Sequence, residues 1–180
     1  MKKYINLIVI VLSVLCNLHA QETSTTYLHS TNEYAISFPY EPVKSIQKIP
    51  SAVGELTMTI FMYENKNTEF DKNLVYMIME SDYPDSLINS NKKENLAGFF
   101  RGAINGAVRN SNGKLLKETE VMYNNFPGRT IEIDYGNGMA IIKLTMVLRY
   151  NKAIMVQTIA ETEHSPNKMA DAFLNSFIVK

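Results

Sequence analysis

The chain has no tryptophan, one cysteine, three histidines and no excess of either charge, with 18 Lys and Arg against 18 Asp and Glu in 180 residues. Each scarcity removes a class of function. A balanced charge offers no electrostatic footprint for nucleic acid or for an anionic membrane surface. A single cysteine cannot form an internal disulfide, and if Cys16 is removed with a leader no thiolate metal site or cysteine nucleophile is left either. After the first twenty residues no apolar run approaches the roughly 18 residues needed to span a bilayer. Short signatures that carry chemistry are missing as well: there is no G-x-S-x-G, no H-E-x-x-H, no Walker loop and no dinucleotide glycine pattern. Nothing here points to catalysis or to a cofactor.

What is present begins with a leader. Lys2 and Lys3 precede an apolar run from Tyr4 to Cys16, and Ala20 precedes Gln21. Charge, apolar stretch and small residue are the three parts of a secretory signal peptide, here residues 1–20. Residues 21–26 form a short polar leader, and 27–180 are expected to make one domain. Cys16 raises an alternative, lipidation as in a bacterial lipoprotein, although Leu15 stands where a small residue is usual. Without the leader 160 residues remain, enough to bury about 70% of the unfolded surface around one core. Loss of Lys2 and Lys3 shifts the formal charge from 0 to −2.

The remainder is read by period. Tyr34–Phe38 alternates large apolar with small residues and ends at Pro39, so it predicts a short strand. Val43–Ile49, closed by Pro50, is a weaker strand, and Glu55–Glu64 and Asn73–Glu80 form a hairpin pair. Met58, Met62, Met77 and Met79 lie in that pair, where methionine reads as gap-filling core rather than a soft-metal site. Lys114–Tyr123 is a further strand. Three strands then follow: Arg129–Tyr135, Ala140–Tyr150 and Ala153–Ala160. The turns assigned to them are Pro127-Gly128, as type II, then Asn137-Gly138 and Asn151-Lys152.

Two helices complete the pattern. From Lys92 to Arg109, Leu96, Phe99, Phe100, Ala103, Ile104, Ala107 and Val108 recur at i, i+3, i+4 and i+7. Asn91 with Glu94 is the expected cap, and Asn110 or Gly113 the expected left-handed end. Gly98, Gly102 and Gly106, four apart, read as a smooth ridge at the edge of the apolar stripe, with Arg101, Asn105 and Arg109 opposite. The ridge serves either tight packing on the chain's own sheet or docking of a partner's backbone, the arginines excluding a membrane dimer. Ser165-Pro166 is the expected start of the second helix, whose apolar face is Met169, Ala170, Phe173, Leu174 and Phe177. His164 with Glu161 and Glu163 is the one trio able in principle to hold a divalent metal; a solvated loop is the plainer reading. Arg129 is a candidate contact residue, with an ion-paired arginine as its plainer reading.

The order of pieces resembles a known family. "YAISFPYEP" (Tyr34 to Pro42), two middle strands, a long helix, a strand, "FPGRTIEI" (Phe126 to Ile133), a meander ending "RYNKAIMVQTIAE" (Arg149 to Glu161) and the helix "ADAFLNSF" (Ala170 to Phe177) look like the PsbP-like superfamily. That superfamily includes the photosystem II extrinsic protein PsbP, the Ran-binding protein Mog and exported bacterial proteins such as DcrB. The resemblance implies an α+β fold, an antiparallel sheet of six or more strands sandwiched by helices, with no shared enzymatic activity. Together with the leader, it leads to the expectation of an exported, periplasmic or secreted accessory module that binds another envelope component. The alternative is a carrier of a small apolar ligand held between sheet and long helix, lined by the glycine ridge, Phe99 and Phe100. A metal-dependent enzyme is a third reading.

Overall fold

The computed structural model describes residues 26–51 and 53–180. The expected signal peptide, Cys16 and most of the expected polar leader lie outside the described residues. In chain order the elements are β1 (Tyr27–Ser30), β2 (Tyr34–Phe38), β3 (Val43–Ser51), β4 (Gly54–Glu64), β5 (Asn73–Asp82), α1 (Lys93–Asn110), β6 (Lys114–Tyr123), β7 (Phe126–Tyr135), β8 (Ala140–Arg149), β9 (Lys152–Glu161), α2 (Lys168–Asn175) and β10 (Ile178–Val179). A single 3-10 turn, Thr162–His164, joins β9 to the last helix.

The long strands form one seven-stranded antiparallel sheet in the order β3-β4-β5-β9-β8-β7-β6. The chain leaves β5 in the middle of the sheet and resumes at β6 on the far edge, four strand spacings or about 19 Å away. The connection contains α1, whose 18 residues span about 27 Å, long enough to bridge that gap. From β6 the meander returns strand by strand until β9 pairs with β5.

Alternation sorts the side chains into two cores. On one face, Phe100 and Ile104 of α1 meet Ile131 and Ile133 of β7 and Ile142, Leu144, Met146 and Leu148 of β8. On the other face, Tyr76, Ile78, Val147, Ile154 and Val156 are covered by Tyr34, Ile36 and Phe38 of β2, Phe173 of α2, Phe177 and Val179. This second cover is a three-stranded sheet, β1-β2-β10, with α2 beside it. One face is therefore closed by a helix and the other by a small sheet together with a helix. The fold is α+β, as the sequence leads one to expect, with seven strands in the main sheet.

Several local expectations are overturned. Pro127-Gly128 is not a turn: both lie inside β7, opposite Met122 and Val121. The reversal is made by Asn124 and Asn125, whose φ values of 46° and 68° suit a two-residue hairpin turn that twists with the strands. Gly128 is needed for space, since a Cβ there would lie 2.7 Å from the carbonyl oxygen of Met146 on β8. The β7–β8 hairpin does turn at Asn137 and Gly138, both at positive φ and accompanied by Gly136. The β8–β9 turn pivots on Tyr150, at φ 51°, one residue before the expected pair.

The helix ends differ too. α1 begins after Lys92 with no side-chain cap, so Asn91 and Glu94 form no capping pair. Its left-handed exit is Asn112, while Gly113 is required by crowding against Ile133 and the carbonyl of Asp134. α2 is capped by Asn167, whose side chain accepts the Ala170 N–H at 2.8 Å, in place of Ser165. Met169 is 44% exposed and does not belong to the packed face. β3 runs through Pro50 to Ser51, an edge position that tolerates proline.

Candidate partner-binding surface

The glycine ridge points the opposite way from its expected packing. Gly98 and Gly102 are exposed and Gly106 half-buried, and a Cβ built on any of the three would meet nothing within 4 Å. They share the outer side of α1 with Arg101, Asn105 and Arg109, all exposed. Helical geometry explains this: once Phe100 and Ile104 define the buried direction, Gly102 falls about half a turn away. Of the two expected lining aromatics, Phe100 is 2% exposed in the core. Phe99 is half-buried and meets the ring of Tyr83 edge-on at 5.3 Å. Between α1 and the sheet, Phe100 and Ile104 pack against Ile131, Ile133, Leu144 and Met146.

Arg129 is fully occupied by its own chain. Its guanidinium lies 4.7 Å above the Phe100 ring, 2.6 Å from Glu120 and 3.6 Å from Glu118, and donates to the carbonyl of Gly128 at 2.9 Å. Arg101 of α1 reaches the same Glu118 at 3.0 Å. The group ties helix to sheet and leaves Arg129 17% exposed at its side chain.

The His164 trio does assemble. His164 Nε2 lies 3.2 Å from Glu163 and 3.9 Å from Glu161, and one ligand atom from each falls within 4.8 Å of the others. Both carboxylates are exposed, so nothing excludes water from the group. A shallow cavity of about 400 Å³ adjoins it, lined by Leu74, Tyr135, Met139, Glu161 and Glu163.

Two polar constellations escaped sequence reading. The first is centred on Lys152, whose ammonium lies 3.1 Å from Asp82, 3.3 Å from Glu33 and 3.9 Å from Glu80. Burial works against that charge, but the hydrogen bond to Asp82 and the neighbouring carboxylates outweigh it and raise the pKa above the ordinary lysine value. A cavity of about 440 Å³ opens here, lined also by Thr57, Thr59 and Tyr83. The second is part-buried around Asn73: Asn73 and Asn167 exchange amide hydrogen bonds at 2.9 and 3.0 Å, and the Tyr76 hydroxyl donates to Asp71 at 2.6 Å. Asn73 and Asn167 are 94 residues apart, so no local pattern announces the pair.

The outer hairpin of the main sheet, β3–β4, carries exposed apolar side chains on both of its faces. Val43 is 73% exposed, Ile46 62% and Met62 37%, and Val43 and Met62 are cross-strand partners. Among the described residues no helix is long and apolar enough to cross a membrane.

The class defined by this architecture is an α+β protein with a PsbP-like fold. It is similar to the solution structure of cyanobacterial PsbP (CyanoP) from Synechocystis sp. PCC 6803, at a TM-score of 0.55 and 13% identity over 92% of this chain and 99% of that one. A weaker match, at a TM-score of 0.34 and 11% identity, is the protein of unknown function PA94 from Pseudomonas aeruginosa, over 78% of this chain and 86% of that one. No family model matches the chain, and no curated protein does.

Proposed function

We propose that this protein is a non-catalytic accessory module, exported through its N-terminal signal peptide, that binds another component of the cell envelope. The observation that carries this reading is the packing of α1 on the sheet beside an edge hairpin with exposed apolar side chains. A carrier needs an apolar chamber to enclose its ligand. Here the place where one would lie, between α1 and the sheet, holds Phe100 and Ile104 packed on β7 and β8. Val43 and Met62, cross-strand partners on one face of the β3–β4 hairpin, are exposed apolar side chains of the kind a protein partner covers, and Ile46 is exposed on the other face. The fold it shares with CyanoP adds support for a module without its own chemistry. The exposed His164 trio lacks the buried, water-excluding setting that would argue for an enzyme.

Native and denaturing mass spectrometry of the chain, expressed with its own leader in a bacterial host, tests the proposal. The expected species is a bare polypeptide beginning at Gln21. A co-purifying small apolar molecule would transfer the protein to the carrier class, and a lipid mass on Cys16 would make it a tethered lipoprotein. A chain still beginning at Met1 would remove the export step.

A further inference from the structure

We propose that the free edge of β3 is a docking site for an extended acidic segment of a partner protein, added to the main sheet as an eighth strand. The inference rests on the binding-module reading and supplies its surface and the partner's chemistry.

The two edges of the sheet are built differently. β6, at one edge, shifts register between Leu115 and Lys117, and such a bulge breaks the row of outward backbone groups. Its carboxylates are also engaged, Glu118 with Arg101 and Glu120 with Arg129. β3 has no bulge, and its edge carries Lys44, Lys48 and Pro50 instead. Its nine residues pair one to one with β4 without a shift, and seven of them are exposed. Among the described residues no strand lies on its other side.

Register decides which groups are free. The β3–β4 hairpin closes on the pair Ser51–Gly54 with two residues between them. Odd-numbered residues of β3 therefore exchange hydrogen bonds with β4, while Lys44, Ile46 and Lys48 direct theirs outward. Pro50 belongs to the same outward series, where a missing N–H costs no bond within the sheet. The free edge thus offers three consecutive outward-facing residues of the sequence Lys-x-Ile-x-Lys.

Their side chains set the partner's chemistry. Lys44 lies 5.6 Å over the Phe61 ring, Lys48 is 2.8 Å from the exposed Glu55, and Ile46 stands between them, 62% exposed. A second copy is disfavoured, because antiparallel pairing about Ile46 would set Lys44 against Lys48 of the other strand, and like charges directly opposed are destabilising. A strand reading acidic-x-apolar-x-acidic places a carboxylate opposite each lysine and an apolar side chain opposite Ile46. Backbone pairing would supply the affinity and the two charges the selectivity.

The test uses isotope-labelled protein and two seven-residue peptides of alternating threonine, one with Glu-Val-Glu at the intervening positions and one with Lys-Val-Lys. With the acidic peptide, the amides of Lys44, Ile46 and Lys48 should shift and exchange more slowly with solvent, and the basic peptide should bind at least about tenfold more weakly. Ile46→Pro removes an outward N–H without touching the β3–β4 ladder and should abolish binding. Lys44→Glu with Lys48→Glu, free of any backbone change, should reverse the preference between peptides. Shifts centred on α1 or β6, or equal binding of both peptides, would overturn the edge assignment. A partner protein cross-linked to the native chain that binds both variants undiminished would also overturn it while leaving the binding-module reading intact. A co-purified apolar ligand would instead remove that reading itself.

Discussion

Glycine shows how one residue type takes opposite roles in this chain. Gly128 lies where β7 passes close to β8, and a methyl there would press on the Met146 carbonyl at 2.7 Å and on Val121 and Val147 at 3.1 and 3.2 Å. Gly128→Ala should therefore destabilise the protein by about 1–3 kcal/mol, as overpacking does. Gly102 faces open space on a helix, so Gly102→Ala should stabilise it by about 1 kcal/mol. Urea midpoints of the two variants should move in opposite directions; a loss of stability at both would mean that the outer side of α1 is already covered. His29 gives a pH dependence at the same scale. Its ring lies 4.1 Å from that of Phe61, and its Nε2 is 3.3 Å from the Tyr34 hydroxyl. Burial lowers its pKa below the ordinary 6.5; Glu80 opposes the shift and Lys44 adds to it. The unfolded chain thus takes up the proton more readily than the folded one. The stability this group contributes is complete above about pH 6.5 and is lost as pH falls from there through the lower folded value. The denaturation midpoint should accordingly drop between about pH 7.5 and pH 5, and His29→Gln should flatten that drop. An unchanged slope in the variant would place the titration elsewhere.

At the scale of elements, the second helix is held by Phe173 in the core and by a side-chain network at its first turn. Asn167 caps α2, bonds the carbonyl of His164 at 3.0 Å and completes the buried Asn73 amide on β5. Asn167→Ala should cost about 2–3 kcal/mol: roughly 1 for the cap, and the remainder for a buried Asn73 left short of a partner. Thermal melting measures the loss, and a shift corresponding to the cap alone would mean that water replaces the amide. The first helix has no side-chain cap and keeps three glycines in its interior, so propensity contributes little to its formation. Its stability comes from Phe100 and Ile104, each worth about 1.5–3 kcal/mol of burial on the sheet. The periodicity of that stripe was readable because it reflects the packing itself. The capping residues were not, because Asn91 and Ser165 carry the right side chains but the chain enters each helix beyond them.

The whole molecule is closed by its last residues. Phe177 and Val179 enter the core beneath β2, and Lys180 bonds the Glu33 carbonyl through its backbone N–H at 2.8 Å. A chain ending at Ser176 should lose about 3–6 kcal/mol from those two side chains, a large part of a typical 5–15 kcal/mol. Circular dichroism melts should show a broadened or absent transition; a native melt would mean that the small sheet is dispensable. The sequence by itself determined the kind of element in most places, including every long strand, the long helix and the α+β class, because alternation and helical period are imposed by which side must be buried. It also carried the Asn137-Gly138 turn. Only the tertiary structure decided the rest. Pro127-Gly128 has the composition of a turn, and it becomes strand because β8 approaches so closely that only glycine fits. Gly98, Gly102 and Gly106 have a packing pattern, and they face outward because Phe100 and Ile104 fix the buried side of α1. The β1 and β10 strands are too short to show a period, and the Asn73–Asn167 and Lys152 groups join residues distant in sequence. Local composition records what a segment can do, and the approach of other segments selects which of those options has space and hydrogen-bond partners.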